Sequence, residues 1–478
     1  MSKRSIRIGL VILTVCLLGF AWWYLLRRPA VVHASWDERS ELSKFEGQFA
    51  SAGQPSMRVI VQLDGVVGKP GEALTAPDDP AERAQRRQAI AKAQSTFLSK
   101  VVPLSQRSAR RYPTIPFLSL DLEAVDVLQL TQWITTVPVT PDGERTFRVR
   151  VEEDRTFSPQ ALRSPARAPT TLDQVLVRIG WPDVVHSGKG PVVAVLDDRV
   201  TESVTVLGAE VAVAELEGRI VGRKAYARGY PNSANEEPTF ALGNTLNHGT
   251  RVAYVIAESE PWCSILALRC DEADGKVWST NVTAALVDID VKWKDQFGDR
   301  LAVVSMSLGN NECFSDTDCV CWPVTGAAMT AALVNLNARG VVVVLPAGNK
   351  GSYVPGVVFP ACFGSAITVG ATYADSPAVA GTSCWSGQLD LCAPGHGIQV
   401  QPNGLPPMTL TGTSFAVPFV ASAVALLRAN HPTTDLQTIL QALQSNGVPV
   451  TPAVTPRHAE PATIPEIRVA AADLSLSS

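Results

Sequence analysis

Residues 412–418 read Gly412-Thr413-Ser414-Phe415-Ala416-Val417-Pro418, and the apolar segment VASAVALLRAN follows at 420–430. A serine set between small residues at the mouth of a helix has an unhindered hydroxyl, and its backbone N–H points outward with the positive end of the helix dipole. Pro418 lies four residues on, near enough to the helix start that its missing N–H costs little. Taken alone, Gly-Thr-Ser before a helix is an ordinary cap and tight turn. For Ser414 to be a nucleophile, the rest of the chain must supply a base, an orienting acid and an oxyanion donor.

Three stretches upstream offer these groups. The apolar strand PVVAVL ends in Asp197-Asp198, and a carboxylate at the end of a buried strand is costly unless paired or hydrogen-bonded. Asn247-His248-Gly249-Thr250-Arg251-Val252-Ala253 places an imidazole at a helix start with small residues beside it. His33, His186, His396, His431 and His458 have no comparable setting and read as surface or structural. The run Val341 to Leu345 continues as Pro346-Ala347-Gly348-Asn349, a strand ending in a tight turn with an amide. Asn349 is a turn residue on its own, but a neutral donor held at a strand end is also what a developing oxyanion requires.

Between these stretches, from residue 172 onward, continuous apolar strands alternate with helices. The strands are 192–196, 264–268, 301–306, 341–345 and 366–369, and the helices 249–257, 280–296 and 324–339. That pattern predicts an α/β domain over 172–475, a mainly parallel sheet with helices on both faces, whose function concentrates at the carboxyl ends of the strands. Before it, strands at 58–63, 115–122 and 146–151 with helices at 80–101 and 123–133 describe a small α+β unit, 58–157. The polar, proline-containing stretch 158–171 reads as a linker and processing region, and 35–57 as a second linker.

Lys3, Arg4 and Arg7 precede an uncharged nineteen-residue run from Ile8 to Leu26. As a helix it would span roughly 28 Å, close to a bilayer core. Trp22, Trp23 and Tyr24 sit at its far end as interfacial anchors, before Arg27 and Arg28. Residues 1–34 are therefore expected to be a signal anchor with the bulk of the chain outside the cytoplasm; cleavage after Ala34 would instead release it. With 41 basic and 45 acidic residues among 478, no charge excess argues for nucleic acid. Eight of the nine cysteines lie between Cys263 and Cys392, which suggests disulfides and an oxidising compartment.

Asp197, His248, Asn349 and Ser414, in that chain order and each in its own motif, resemble the subtilisin-like serine proteases (subtilases). The similarity takes in VRIGWPDVVHSGKGPVVAVLD at 177–197, NHGTRVA at 247–253, VSMSLG at 304–309 and VVVVLPAGN at 341–349. It continues through FPACFGSAITVGAT at 359–372, LDLCAPG at 389–395 and GTSFAVPFVASAVALL at 412–427. The α+β unit resembles the family's propeptide, an inhibitor and intramolecular chaperone removed by self-cleavage. The resemblance implies a serine endopeptidase made as a zymogen: Ser414 attacks, His248 is the base, Asp197 orients it, and Asn349 with the Ser414 N–H binds the oxyanion. Removing such an asparagine costs about 10² to 10³ in turnover, a magnitude measured on a subtilisin. Ser307, Leu308 and Gly309 are implied as the edge strand that pairs with an extended peptide, with Ala347 and Gly348 also on the substrate side. The expected partners are peptide or protein substrates, the chain's own propeptide and a membrane.

Asp197-Asp198-Arg199 departs from the family's Asp-Thr-Gly or Asp-Ser-Gly. The second aspartate, like Arg251, resembles the kexin branch. Arg199 replaces a glycine, and its charge is placed to compete with His248 for Asp197. It is the feature behind an alternative reading, a catalytically weakened scaffold that binds peptides in the cleft; a serine esterase would need a GxSxG elbow that Ser414 lacks. Cys263 and Cys270 bracket a strand spanning roughly 23 Å and need different partners. Cys313, Cys319 and Cys321 fall in one insert without a histidine, so bridges are expected there rather than zinc, and Cys384 and Cys392 flank a turn across which they could pair. No cofactor or metal is expected; calcium is frequent in the family, but no acidic loop here marks a site.

Overall fold

The computed structural model describes residues 38, 44–47, 49, 56–67, 79–100, 109–137, 139–140, 146–160, 168–184, 186, 190–206, 209–227, 246–310, 312–314, 322–351, 356–452 and 462–477. The expected anchor 1–34, most of the linker 35–57, Cys16, Cys319, Cys321, His33 and His458 lie outside the described residues.

A large sheet runs in the order Ile220–Ala225, Ser264–Arg269, Val192–Asp197, Leu301–Met306, Val342–Pro346, Ile367–Tyr373, Leu391–Val400, Ile464–Glu466 and Val448–Val450. All neighbours are parallel except the last pair. The strands are apolar on both faces because both faces are covered. Val193, Val195, Val303 and Val344 face one core, which takes in the helices His248–Ser259 and Val417–Asn430. Val192, Ala194, Leu196 and Val343 face the other, under the helices Ser279–Asp288 and Pro323–Ala338. The first strand, Val192–Asp197, lies between the third and fourth, so the chain order reverses around it, the place where open α/β sheets bind ligands at the strands' carboxyl ends.

Thr413–Asn430 is the one stretch among the described residues long and apolar enough to cross a membrane, but 83% of it is buried inside the protein, as befits a core helix. The helix expected over 280–296 is interrupted by a π turn at Ile289–Trp293. Arg339 supplies a reason, since its Nη1 takes the Asp290 carbonyl at 3.0 Å.

The N-terminal unit is a four-stranded antiparallel sheet, ordered Arg110–Arg111, Phe117–Glu123, Ser56–Asp64 and Arg148–Glu153, with helices Pro80–Lys100 and Ala124–Thr136. It shares one compact unit, Trp36–Ser478, with the main sheet. The helices Ser279–Asp288 and Pro323–Ala338 start after tryptophans, Trp278 and Trp322, that cannot cap them. The N-terminal unit caps both. Asp154 accepts from Thr280 N (3.2 Å) and from the Ser279 and Thr280 hydroxyls, and Glu152 accepts from Val324 N (3.1 Å), Thr325 N (3.4 Å) and Thr325 Oγ1 (2.6 Å). Arg58 pairs with Glu272 at 2.6 Å, and Tyr112 Oη donates to Thr280 O at 3.0 Å.

The expected linker 158–171 is corrected at both ends. Thr156–Pro159 is a strand, and Thr170–Thr171 pairs with Ile398–Gln399. Both find their edges more than a hundred residues away, which local composition cannot show. The cysteines also differ from expectation. Cys384 Sγ lies 2.8 Å from Cys313 Sγ, whereas the Cys392 thiol points to Ile464 O at 3.7 Å. Cys263 and Cys270, expected to need separate partners, are buried free thiols. Burial raises the pKa of each, so they behave as inert core groups.

Candidate active site

Asp197 ends the first strand with its side chain fully buried. Its Oδ1 accepts from His248 Nδ1 at 2.8 Å and from Asp198 N at 2.8 Å. His248 is the first residue of its helix, and this helix also lacks a cap of its own from Asn247. Asp198 provides it, accepting from Gly249 N at 2.6 Å and from His248 N at 3.1 Å. One Asp-Asp pair therefore seats the histidine twice, by ring and by backbone. Gly249 is needed for that seat, because a Cβ there would lie 2.9 Å from Arg199 O and 3.0 Å from both Asp197 Cβ and Asp198 Oδ1. Arg199 contributes its carbonyl, which accepts from Thr250 Oγ1 at 3.2 Å. Asp197 keeps its bond to His248, so Arg199 has not drawn the acid away.

Burial pulls the His248 pKa down, but the Asp197 charge and hydrogen bond, helped by the Asp198 charge, outweigh it and hold the imidazole above its ordinary value. Loss of hydration and the neighbouring Asp197 push the Asp198 carboxyl up to about 7. His248 Nε2 has no hydrogen-bond partner among the described residues, and its ring packs 5.5 Å from Phe415.

Ser414 stands in a 3₁₀ turn, Thr413–Phe415, ahead of Val417–Asn430. Gly412 enters that turn at φ 136°, a backbone state suited to glycine. Ser414 Oγ donates to Ser307 O at 3.2 Å rather than to His248. Asn349 follows the Val342–Pro346 strand, and its Oδ1 accepts from Thr413 N (3.0 Å) and Thr413 Oγ1 (3.2 Å).

The cleft is filled by the chain itself. Thr156–Pro159 lies antiparallel between Val277–Trp278 and Leu308–Gly309, with Ser158 opposite Gly309 and Phe157 opposite Val277. Gln160 N donates to Ser307 O at 3.3 Å, and Gln160 O accepts from Ser414 N at 3.0 Å. Ser307, Leu308 and Gly309 thus meet an extended segment of the chain itself. Ala347 and Gly348 do not pair with it: Ala347 bonds Val369 O and Val358 N, and Gly348 bonds Cys384 N and Thr413 Oγ1. Of the remaining histidines, His186 pairs with Glu260 and His431 with Asp473, while His396 packs on Tyr373.

Sequence reasoning missed Gln160, the strand before it, the Val277–Trp278 edge and the capping roles of Asp198, Asp154 and Glu152. The repeated acid at 197–198 was a visible signal for the first cap. For the others the partners are far along the chain.

A carboxylate–imidazole pair at the end of a central strand in a mainly parallel sheet and a serine at a helix mouth are the groups an α/β serine hydrolase needs. The sequence model of the Subtilase family, Peptidase S8, matches residues 188–456. The chain belongs to that family and is a serine endopeptidase. Its relatives include subtilisin BL of Lederbergia lenta, 30% identical over 214 residues covering 43% of this chain and 71% of that protein. The alkaline protease of Shouchella clausii is 27% identical over 337 residues, 67% of this chain and 71% of that protein. Alkaline elastase YaB of a Bacillus species is 27% identical over 333 residues, 66% and 70% of the two chains.

Proposed function

We propose that the chain is a self-processing zymogen that cuts its own Gln160–Ala161 bond and then acts on peptide or protein substrates outside the cytoplasm. The observation that carries this is the bond from Ser414 N to Gln160 O, at 3.0 Å, with Gln160 N on Ser307 O. A carbonyl held by the nucleophile's own N–H is where an acyl group sits when attacked.

For reaction, the Ser414 hydroxyl leaves Ser307 O for His248 Nε2, the open acceptor. Its oxygen attacks the Gln160 carbonyl as His248 takes the proton, Asp197 holds the Nδ1–H and balances the imidazolium, and the oxyanion gathers the Ser414 N–H and Asn349 Nδ2. His248 returns the proton to the leaving Ala161 amine, and water repeats the sequence on the acyl-enzyme. Side chains and backbone suffice, with no cofactor required. The N-terminal unit acts as an inhibitory propeptide, because the strand that follows it, Thr156–Pro159, occupies the cleft and the unit's carboxylates cap two helices of the catalytic domain.

The basic-flanked apolar run 8–26 suits a membrane anchor that leaves the catalytic domain extracytoplasmic. Cys362 is disulfide-bonded and Cys313 faces Cys384, both in keeping with an oxidising compartment.

Expressing residues 36–478 as wild type and as Ser414→Ala tests the reading by intact mass. Wild type is expected to yield a fragment beginning at Ala161, and Ser414→Ala to stay whole. An uncut chain in both would refute self-processing.

A further inference from the structure

Resting on the reading of residues 156–160 as a bound substrate strand, we infer that this endopeptidase selects glutamine as the residue before the scissile bond, with an aromatic residue three positions upstream. Gln160 is 3% exposed, so its amide has been taken out of water and must be answered by protein. Nε2 lies 3.1 Å from Gly309 O, 3.3 Å from Asn310 O, 3.1 Å from Ser158 O and 3.5 Å from Ser158 Oγ. Three of these four neighbours are carbonyl oxygens, which only accept, so the group among them has to be a donor.

The two enzyme carbonyls cannot turn away. Asn310 N donates to Phe359 O at 3.0 Å and Phe359 N donates to Asn310 Oδ1 at 3.0 Å, and Cys313–Phe314 pairs with Val357–Val358 just beyond. Gly309 packs so tightly on this wall that a Cβ would approach Val358 Cγ2 to 2.7 Å. A glutamate has glutamine's shape but would press a charged acceptor against these carbonyls. A leucine would fill similar space but take the amide donor away from both the Gly309 and Asn310 oxygens, leaving Gly309 O to the Ser158 hydroxyl at 3.5 Å. A lysine could donate, yet the oxygens around the amide include no carboxylate to balance its charge. Phe157 is the second anchor, 5% exposed with its ring 5.5 Å from that of Phe359. The substrate class is thus an extended protein segment with an aromatic residue three positions before a glutamine, cut on the carboxyl side of that glutamine.

The test uses the self-processed enzyme and four fluorogenic peptides, Phe-Ser-Pro-X with X as Gln, Glu, Leu or Lys before the reporter. The expected kcat/KM for Gln exceeds that for Glu by about 100-fold or more, and that for Leu by about tenfold. In the intact chain, Gln160→Glu and Gln160→Leu should slow self-cleavage in the same order. Equal or faster hydrolysis of the Glu or Leu peptide overturns the selectivity, as does failure to cut any of the four by an enzyme whose Ser414 labels with a fluorophosphonate. If Ser414 does not label and no peptide is cut, the endopeptidase reading of the site falls first and the selectivity falls with it.

Discussion

Asp198 is where pH and catalysis meet. Its Oδ2 accepts from the backbone of His248 at 3.1 Å, and its charge is one of the influences that hold the imidazole above its ordinary value. A general base works only when neutral, so activity falls as pH drops through the His248 pKa, and the acid limb of kcat/KM should lie above the ordinary histidine value of about 6.5. Asp198→Asn removes a charge from that balance. At an effective dielectric near 20, unit charges about 7 Å apart interact by about 2 kcal/mol. The Asp198 carboxyl itself is pushed up to about 7, so near neutrality it carries only part of its charge. The expected shift of the acid limb is therefore downward, by about half to one pH unit.

A second readout follows from the same group. An acid whose folded pKa is raised keeps a proton that the unfolded chain gives up, so its contribution to stability declines as pH rises from about 4 to about 7. In a Ser414→Ala background, which cannot process itself, Asp198→Asn should flatten the fall in urea stability across that window. Asparagine retains one acceptor for the helix N-terminus and should lose about 1 kcal/mol of capping at most. An acid limb that stays in place or moves upward would refute the electrostatic argument, and an unchanged stability slope would show that the Asp198 carboxyl is not raised.

In the Ser414→Ala chain, Asp154→Ala and Glu152→Ala should each lower unfolding stability by about 1–3 kcal/mol, because each strips a helix of the cap it takes from the N-terminal unit. Urea melts of the single and double variants check this, and a loss below about 0.5 kcal/mol for both would remove the caps from the account of why the two units hold together. Cys313 and Cys384, with sulfurs 2.8 Å apart, are expected to resist alkylation in protein purified from an oxidising compartment and to react only after reduction. Peptide mapping reads that directly, and free alkylation of both thiols without reductant would exclude a bridge between them.

Much of the catalytic half is legible in the amino-acid order. Apolar runs such as Val192 to Leu196 and Leu301 to Met306 mark strands covered on both faces, and those two reproduce the observed strands to within a residue. Asp197, His248, Asn349 and Ser414 stand out because each sits in a short motif whose backbone needs are local: a strand end, a helix start, a tight turn, a glycine at φ 136°. The fold class and the identity of the proposed catalytic groups were therefore available before any coordinates. Where Phe157 to Gln160 belong was not. A strand is stabilised by its edges, and the edges here are Val277–Trp278 and Leu308–Gly309, the second of them about 150 residues away. The same holds for Asp154 and Glu152, which folding sets on the bare N-termini of two distant helices. Sequence alone determined the family and the residues proposed for the chemistry, because both are written in local motifs. Tertiary structure alone decided which carbonyl meets the Ser414 N–H and which side chain is buried beside it, because both depend on non-local hydrogen bonding and loss of water.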